Sequence, residues 1–439
     1  MGWFAFFILV GLLILVQLDG YLNRDKGSGD DRTAANVERS LRMSMEYMAG
    51  IRGMLGDKAP KEDYARMRSD LSRLEEPKAS EGAAMVAISL RRLLGDDPKP
   101  SSLATLAKSK DTEVRQLAAL LENPDLQEPE VRALKDRLPD RFASQLIWSL
   151  RLEELGVKDA RLEVVSPERG QRLFVFAVVL MMAGGLGVAA WIAYAVARLA
   201  GKARPLGHPA DPLSAPNADR MAGRATQLLA LFFLIPFVIV MIVGSNPPKG
   251  TSIVLALLVI GLSLALLTLP IFGKSLSFAQ VGLRHPRRKS DYLWVIGALL
   301  AEIPLLAVLA AISYPLQQFF PAPEHPITVR LAEGADLWTL IGTFVSASLM
   351  APIVEEIIFR GLVTPAMAKL FRSTAIGLVV AALCFAAIHP TGIPAWLPLA
   401  GVGFISAMLT YQTGSLMPSI IFHGVHNAAI LTLTLAVLS

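Results

Sequence analysis

Five acidic or imidazole side chains lie in C-terminal segments that otherwise have the composition of membrane helices: Glu355, Glu356, His389, His423 and His426. The whole chain has only 6 histidines, so half of them fall in such segments. A charged side chain near the centre of a bilayer costs about 3 kcal/mol on insertion scales, and residues of this kind usually face a polar cavity. The pattern therefore predicts a functional site buried in the membrane.

The two adjacent glutamates differ in their expected partners. On a helix, Glu356 lies four residues before Arg360, which is the favourable order for an ion pair along one face. Glu355 points about 100° away and has no partner in its own helix. Its carboxylate is therefore available to accept a proton from water or to bind a cation.

A histidine is expected to meet Glu355 across a helix hairpin. His389 ends the run Phe385-Ala-Ala-Ile-His, and the midpoint between Glu355 and His389 is Arg372, in a basic turn. Residues equidistant from the turn of an antiparallel hairpin lie at the same depth. The spacing therefore predicts that Glu355 and His389 can meet.

A third polar element lies near the end of the chain. His423 and Asn427 are four residues apart and share one helical face, where imidazole and carboxamide groups can ligate a metal or donate to an oxyanion. His426 is expected to point elsewhere. Glu302, in another apolar run, is expected to lie near an interface or to form a hydrogen bond within the bundle.

Each motif also has a structural interpretation. Paired acids with an arginine can form a structural ion pair, and a histidine in an apolar helix often only links neighbouring helices. Three separate helices, however, each present a polar group that the bilayer penalises. This convergence favours a functional site.

The three motifs, Glu-Glu-x-x-x-Arg at 355–360, Phe-x-x-x-His at 385–389 and His-x-x-x-Asn at 423–427, resemble those of the CPBP family in order, spacing and membrane context. That family comprises CAAX prenyl proteases and bacteriocin-processing intramembrane proteases, formerly grouped with the Abi proteins. The resemblance covers residues 276–436 and includes the Gly-Leu-Arg run at 282–284.

The resemblance implies an all-helical membrane endopeptidase of the CAAX type. The implied catalytic residues are Glu355 and His389, which activate water, and His423 and Asn427, which stabilise the tetrahedral oxyanion or help to hold a metal. The implied supporting residues are Glu356, Arg360 and Phe385.

Two forms of that mechanism are open at this stage. Zinc commonly takes three protein ligands and a water, and Glu355, His389 and His423 would form such a set. The chain has no His-Glu-x-x-His motif, so the site would not be an ordinary zincin helix. A metalloprotease holding zinc or another divalent ion is the slightly preferred form, and a metal-free glutamate mechanism with the same residues is the alternative.

The elements that position these residues are predicted to be membrane helices. With 53% hydrophobic and 18% charged residues and a mean hydropathy of +0.48, the chain is too apolar for a soluble protein. Runs of about 20 mostly apolar residues can cross a bilayer. Such runs predict an all-α polytopic bundle of about nine transmembrane helices, near residues 3–18, 173–197, 225–244, 251–272, 293–316, 337–359, 374–389, 396–411 and 416–438.

The composition also predicts a domain organisation. Residues 1–18 form a transmembrane anchor, which is favoured over a cleaved signal peptide because it lacks a basic n-region and a small-residue cleavage site. Residues 19–172 form a soluble helical domain, in which Val114, Leu117 and Leu120 recur at helical spacing. Membrane helices follow at 173–272, with a proline-rich cytoplasmic linker at 201–218, and the CPBP-like domain occupies 276–436.

Basic residues fall in three connections on one side of the membrane when the helices alternate. The positive-inside bias places that side in the cytoplasm, so the N-terminus is expected inside and residues 19–172 outside, in the plasma membrane of a prokaryote. The net charge of +5 reflects these loops, and no nucleic-acid partner is expected. The single cysteine, Cys384, lies in a hydrophobic run and is expected only to pack.

The predicted function is hydrolysis of peptide bonds in membrane-associated or lipid-modified polypeptides, with the bilayer and such a polypeptide as partners. The competing interpretations are a non-catalytic membrane scaffold or immunity protein and a proton-coupled transporter, since intramembrane Glu and His also form proton relays. The chain has no convincing pair of halves with matching broken helices, which is evidence against transport. The sequence does not predict an oligomeric state.

Overall fold

The computed structural model describes residues 2–22, 26–60, 63–76, 79–203, 218–243, 251–268, 276–316, 320, 336–389 and 391–438. Helix makes up 81% of the structure, and the described ranges contain no strand. The predicted all-α fold class is therefore confirmed. Most of the linker predicted at 201–218 lies outside the described residues.

The helices in chain order are α1 Gly2–Leu22, α2 Lys26–Leu55, α3 Leu71–Leu74, α4 Glu81–Leu93, α5 Pro100–Ala107, α6 Thr112–Glu122, α7 Glu128–Ala133, α8 Phe142–Glu154, α9 Pro167–Leu199, α10 Ala218–Val243, α11 Thr251–Thr268, α12 Trp294–Ser313, α13 Leu337–Leu370, α14 Thr374–Ala387, α15 Ile393–Thr413 and α16 Met417–Leu438. Short 3₁₀ turns occur at Gly56–Lys58, Ala65–Asp70, Lys135–Arg137, Ala160–Glu163 and Lys289–Leu293.

The chain divides into two compact units, Tyr21–Leu180 and the combination of Met1–Gly20 with Met181–Ser439. In the first unit α4 is the central helix, and it packs against α2, α5 and α8. The α4 side chains from Gly82 to Leu90 are all buried, which accounts for their nearly continuous apolar sequence. The Ser80 hydroxyl accepts a hydrogen bond from the Ala83 N–H and so caps the start of this helix.

The predicted amphipathic helix after Asp111 is present as α6. Its residues Val114, Leu117 and Leu120 are buried in the core of the first unit, as their spacing predicts. Asp111 caps the helix, since its carboxylate accepts a hydrogen bond from the Glu113 N–H. The local pattern in this region therefore specifies both the start of the helix and its buried face.

Four helices among the described residues are long and apolar enough to cross a membrane: Pro167–Leu199, Lys289–Ser313, Leu337–Leu370 and Ile393–Thr413. Shorter apolar helices cover Gly2–Leu15, Ile253–Thr268 and Thr374–Ala387. A helix is present at each of the nine positions predicted for a transmembrane segment. The count of about nine spans is nevertheless not confirmed and stays a prediction, as do the boundaries of the four predicted domains.

The four C-terminal helices form the bundle that holds the polar motifs. Helix α14 packs against the C-terminal part of α13 and against α15, while α16 packs against α12, α13 and α15. The predicted α13–α14 hairpin is present, and its turn places Arg372 in the left-handed region at φ 50°. The two helices meet closely near this turn, because a Cβ on Gly377 would lie 2.6 Å from the Ala368 backbone. Only glycine fits that approach.

Candidate active site

The two glutamates on α13 lie inside the bundle, with 6% of Glu355 and none of Glu356 exposed. The ion pair predicted between Glu356 and Arg360 is present, with 3.0 Å between Oε1 and Nη1. The other terminal nitrogen of Arg360, Nη2, donates to the Gly403 carbonyl on α15 at 3.1 Å. Removing either partner of a fully buried pair leaves the other as an uncompensated charge, which strongly destabilises the fold.

Glu356 has a second partner that its spacing did not predict. The Nδ1–H of His423, on α16, donates to Glu356 Oε1 at 2.9 Å, and the hydroxyl of Ser406 donates to the same oxygen at 3.3 Å. An ionised carboxylate only accepts hydrogen bonds, so this contact fixes the proton on Nδ1 of the neutral His423 ring. The Nε2 atom of His423 is left for other contacts. Glu356 therefore positions His423 in addition to pairing with Arg360.

Two imidazole nitrogens approach the carboxylate of Glu355. Nε2 of His389 lies 3.9 Å from Glu355 Oε2, and Nε2 of His423 lies 3.8 Å from the same oxygen. The His389 ring is oriented by its Nδ1–H, which donates to the Phe385 carbonyl at 2.7 Å. Both gaps are longer than a direct hydrogen bond, and one water can bridge such a gap. Glu355 and His389 therefore lie close together across the hairpin, as their spacing predicts.

The ring of Phe385 lies among these polar side chains. Its ring lies 4.6 Å from the His389 ring and 5.7 Å from the His423 ring, measured between centroids. The guanidinium of Arg360 stacks over it at 4.4 Å, a distance typical of a cation–π contact. Phe385 therefore sets the separation of the two histidines, which is consistent with the supporting role that the sequence predicts for it.

Asn427 is held by an irregular stretch of α13. This helix adopts π-helical geometry at Ser346–Met350, which ends two residues before Pro352. In that register the Ala347 carbonyl would pair with the N–H five residues on, but residue 352 is a proline and has none. The Asn427 amide nitrogen donates to this carbonyl instead, at 2.7 Å. An amide nitrogen carries two hydrogens, so one remains for another partner.

His426 lines the same cavity as Glu355, and its ion-pair partner is Glu302. Its Nδ1 lies 3.1 Å from Oε2 of Glu302 on α12. Glu302 therefore makes a polar contact within the bundle, although its Oε2 forms no regular hydrogen bond. Sequence spacing cannot reveal this pair, since the two residues are 124 positions apart and meet only when α12 packs on α16.

A cavity of about 490 Å³ connects these side chains. Its polar lining residues are Ser346, Glu355, His389, Thr391, His423, His426, Asn427 and Thr434. The rest of its wall is apolar, formed by Ala347, Ala351, Phe385, Leu399, Val402, Ile430 and Leu431. A cavity in which polar groups converge beside apolar walls is typical of a ligand or active site. All four predicted catalytic residues lie in its wall.

The fit of a metal to these residues can be tested from the donor atoms. Zinc ligands lie about 2.0–2.2 Å from the ion, usually as a group of three or four. Among the described residues, no group of three or more His, Cys, Asp or Glu side chains is arranged to hold a metal ion. The residues as they stand do not fit a metal centre, and the zinc or other divalent ion stays a prediction.

Residues 337–429 match the family model for type II CAAX prenyl endopeptidases, Rce1-like. This segment is similar to the Rce1-like type II CAAX prenyl endopeptidases. The match runs from the start of α13 into α16, and it supports the predicted membership of the CPBP intramembrane proteases. Every residue of the three motifs lies inside it, whereas Glu302 lies before it. No curated protein and no solved structure matches the chain.

The Rce1-like family suggests CAAX-type intramembrane endopeptidase activity. Together with the apolar helices, it indicates an integral membrane protein.

Proposed function

We propose that the protein is an intramembrane endopeptidase that hydrolyses peptide bonds of membrane-associated or lipid-modified polypeptides. The observation that carries this proposal is the position of Glu355 Oε2, at 3.9 and 3.8 Å from the Nε2 atoms of His389 and His423, in a largely apolar cavity of the Rce1-like domain. An active site of this type brings a base and hydrogen-bond donors together where bulk water is scarce.

The base of the reaction is Glu355. A water between its carboxylate and the Nε2 lone pair of His389 is polarised from two sides. As the water oxygen attacks the scissile carbonyl, its proton moves to Glu355. The Nδ1–H contact to the Phe385 carbonyl keeps His389 in the tautomer whose Nε2 is an acceptor. The leaving nitrogen later needs a proton, for which protonated Glu355 is one source.

The negative oxygen of the tetrahedral intermediate is stabilised from α16. The second amide hydrogen of Asn427 supplies one donor. His423 supplies another when its ring is doubly protonated, because its Nδ1–H is already directed at Glu356. The negative charge of Glu356 stabilises that imidazolium. Each such donor typically contributes about 100- to 1000-fold to kcat.

The side-chain arrangement favours the metal-free form of this mechanism, since no three His, Cys, Asp or Glu side chains of the described residues are arranged to hold a metal ion. We therefore expect that dialysis against EDTA, followed by assay in 1,10-phenanthroline, leaves the hydrolysis rate unchanged. Loss of activity that is restored by added zinc would instead support the predicted set of Glu355, His389 and His423. The Glu355→Gln variant measures the background in both assays.

The substrate is proposed to enter beside apolar wall residues, which include Leu399, Val402 and Leu431. Such a wall suits a lipid chain or apolar side chains next to the scissile bond. As part of the proposal, the N-terminus lies inside, residues 19–172 lie outside the cytoplasm, and the enzyme resides in the plasma membrane of a prokaryote. The bilayer and the polypeptide substrate are its partners.

The proposal is tested by comparing newly formed polypeptide N-termini in membranes from cells that make either the wild-type chain or equal amounts of Glu355→Gln protein. We expect a set of termini that is present with the wild type and absent with the variant. If the two sets are identical, the polar cluster is better explained as a structural element of a scaffold or immunity protein. Uptake of protons by wild-type vesicles, without such termini, would indicate a transporter.

A further inference from the structure

Glu302 and His426 form a second acid–imidazole pair that the proposed mechanism does not use. Glu302, on α12, is only 7% exposed, and its Oε2 lies 3.1 Å from Nδ1 of His426 on α16. The alignment is not that of a regular hydrogen bond, and this oxygen has no other hydrogen-bond partner among the described residues. A buried carboxylate in such surroundings costs free energy unless a cation or donor compensates it. His426 is placed to be that cation.

The imidazole of His426 also borders the cavity that contains Glu355. Because Nδ1 is directed at Glu302, Nε2 is the ring atom left for a substrate. A contact that served only to lock α12 against α16 would not require His426 to line the cavity. The pair is thus positioned for chemistry as well as for packing.

The position of His426 along α16 restricts what it can contact. It follows His423 by three residues, so their Cβ atoms lie about 5–6 Å apart, on neighbouring parts of the helix surface. A group bound by His426 is therefore close to the scissile carbonyl that His423 and Asn427 contact. The carboxylate of Glu302 makes the pair unsuitable for binding an anion, but it stabilises an imidazolium. An imidazolium next to the scissile bond is suited to donate a proton to the leaving nitrogen.

We propose that His426 is the general acid of the reaction and that Glu302 is the residue that positions it; this inference rests on the proposed endopeptidase function. When the tetrahedral intermediate collapses, the C–N bond breaks and its electron pair moves to nitrogen. The nitrogen takes the proton from Nε2 of the His426 imidazolium and leaves as a neutral amine. The proton that Glu355 took from water passes to solvent, and His426 takes one back, which restores the enzyme.

The test compares two leaving groups. The amide substrate is a synthetic peptide that spans a Glu355-dependent cleavage site from the membrane comparison, and the second substrate is the 4-nitrophenyl ester of its acyl half. Nitrophenolate leaves without taking up a proton. The amine must be protonated as it leaves. For His426→Gln and Glu302→Gln we expect kcat on the peptide to fall about 100-fold or more and kcat on the ester to fall less than about threefold, as general acid catalysis requires.

The control variant is His285→Gln, which removes a histidine outside the cavity whose Nδ1 contacts the Tyr292 hydroxyl. It should leave both rates unchanged. The ratio of the two rates does not depend on how much of a variant is folded, so partial misfolding does not obscure the result. Equal losses on both substrates would overturn the role of His426 while the endopeptidase proposal stands. If the wild type hydrolyses neither substrate in a Glu355-dependent manner, both proposals fail.

Discussion

At the scale of single residues, the adjacent glutamates 355 and 356 have different partners and should respond differently to the same substitution. Glu355 has no short hydrogen bond among the described residues, its nearest imidazole nitrogen being 3.8 Å away. We expect Glu355→Gln to lower kcat by about 1000-fold or more, because the base is lost. The thermal unfolding temperature in detergent should not fall. Rates on a cleaved peptide and a melting curve together check this.

Glu356→Gln should damage both stability and activity. It leaves Arg360 buried without a counter-charge, which typically costs about 3–5 kcal/mol. It also removes the negative charge that stabilises a doubly protonated His423. We therefore expect a lower unfolding temperature and, in the fraction that folds, a reduced kcat. A Glu356→Gln enzyme that is less stable but fully active per folded molecule would show that its contact with His423 has no part in catalysis.

At the scale of helices, the close approach of α16 to the π-helical stretch of α13 determines where Asn427 lies. A Cβ added to Gly424 would be 2.6 Å from the Ser348 carbonyl oxygen, so Gly424→Ala must push the two helices apart. We expect kcat to fall at least about tenfold, because an oxyanion donor moves out of position. The matched control is Gly261→Ala on α11, where nothing lies within 4 Å. That variant should be fully active and, from helix propensity, up to about 1 kcal/mol more stable.

The extent to which the sequence predicts this site depends on whether a contact is local. The Glu356–Arg360 pair follows from helical spacing, and the meeting of Glu355 with His389 follows from the symmetry of a hairpin. The contact of His423 with Glu356 spans 67 residues and depends on how α16 packs on α13. The hydrogen bond from Asn427 to the Ala347 carbonyl depends on the π-helical register near Pro352. The spacing of residues in the sequence does not predict that register. Glu302 and His426 become partners only through the packing of α12.

At the scale of the whole molecule, the unit Tyr21–Leu180 should respond to pH through Glu75. Burial favours the neutral form of this carboxyl, but Arg91 and Lys99 outweigh it and hold its pKa below the ordinary value of 4.5. A carboxyl whose pKa is lowered by folding stabilises the folded state fully above pH 4.5. This stabilisation is lost as the pH falls through the pKa that the group has in the folded protein. At pH 7, the backbone amides of α4 should exchange hydrogen faster in the Glu75→Gln variant than in the wild type, measured on the full chain. The difference should shrink below pH 4.5, and a difference independent of pH would contradict this.

The separation of the two units leads to a prediction for a deletion. Every residue proposed for catalysis, from Glu302 to Asn427, belongs to the unit formed by Met1–Gly20 and Met181–Ser439. The unit Tyr21–Leu180 has a hydrophobic core of its own around α4, and the cavity wall contains none of its residues. Hydrolysis of a small peptide should therefore need only the unit formed by Met1–Gly20 and Met181–Ser439.

Removing residues 33–165 while keeping α1 should leave the turnover of a short synthetic peptide within about twofold of wild type, because none of the removed residues that the structure describes lines the cavity in which the transition state forms. We also propose that this segment selects the natural polypeptides that are cut, so their set in membranes should change. The comparison of new N-termini, made for the wild-type, deleted and Glu355→Gln chains, measures both effects. An unchanged set of natural cleavage sites in the deleted chain would mean that selection resides in the cavity, whose apolar wall of Leu399, Val402 and Leu431 would then be the determinant to mutate next.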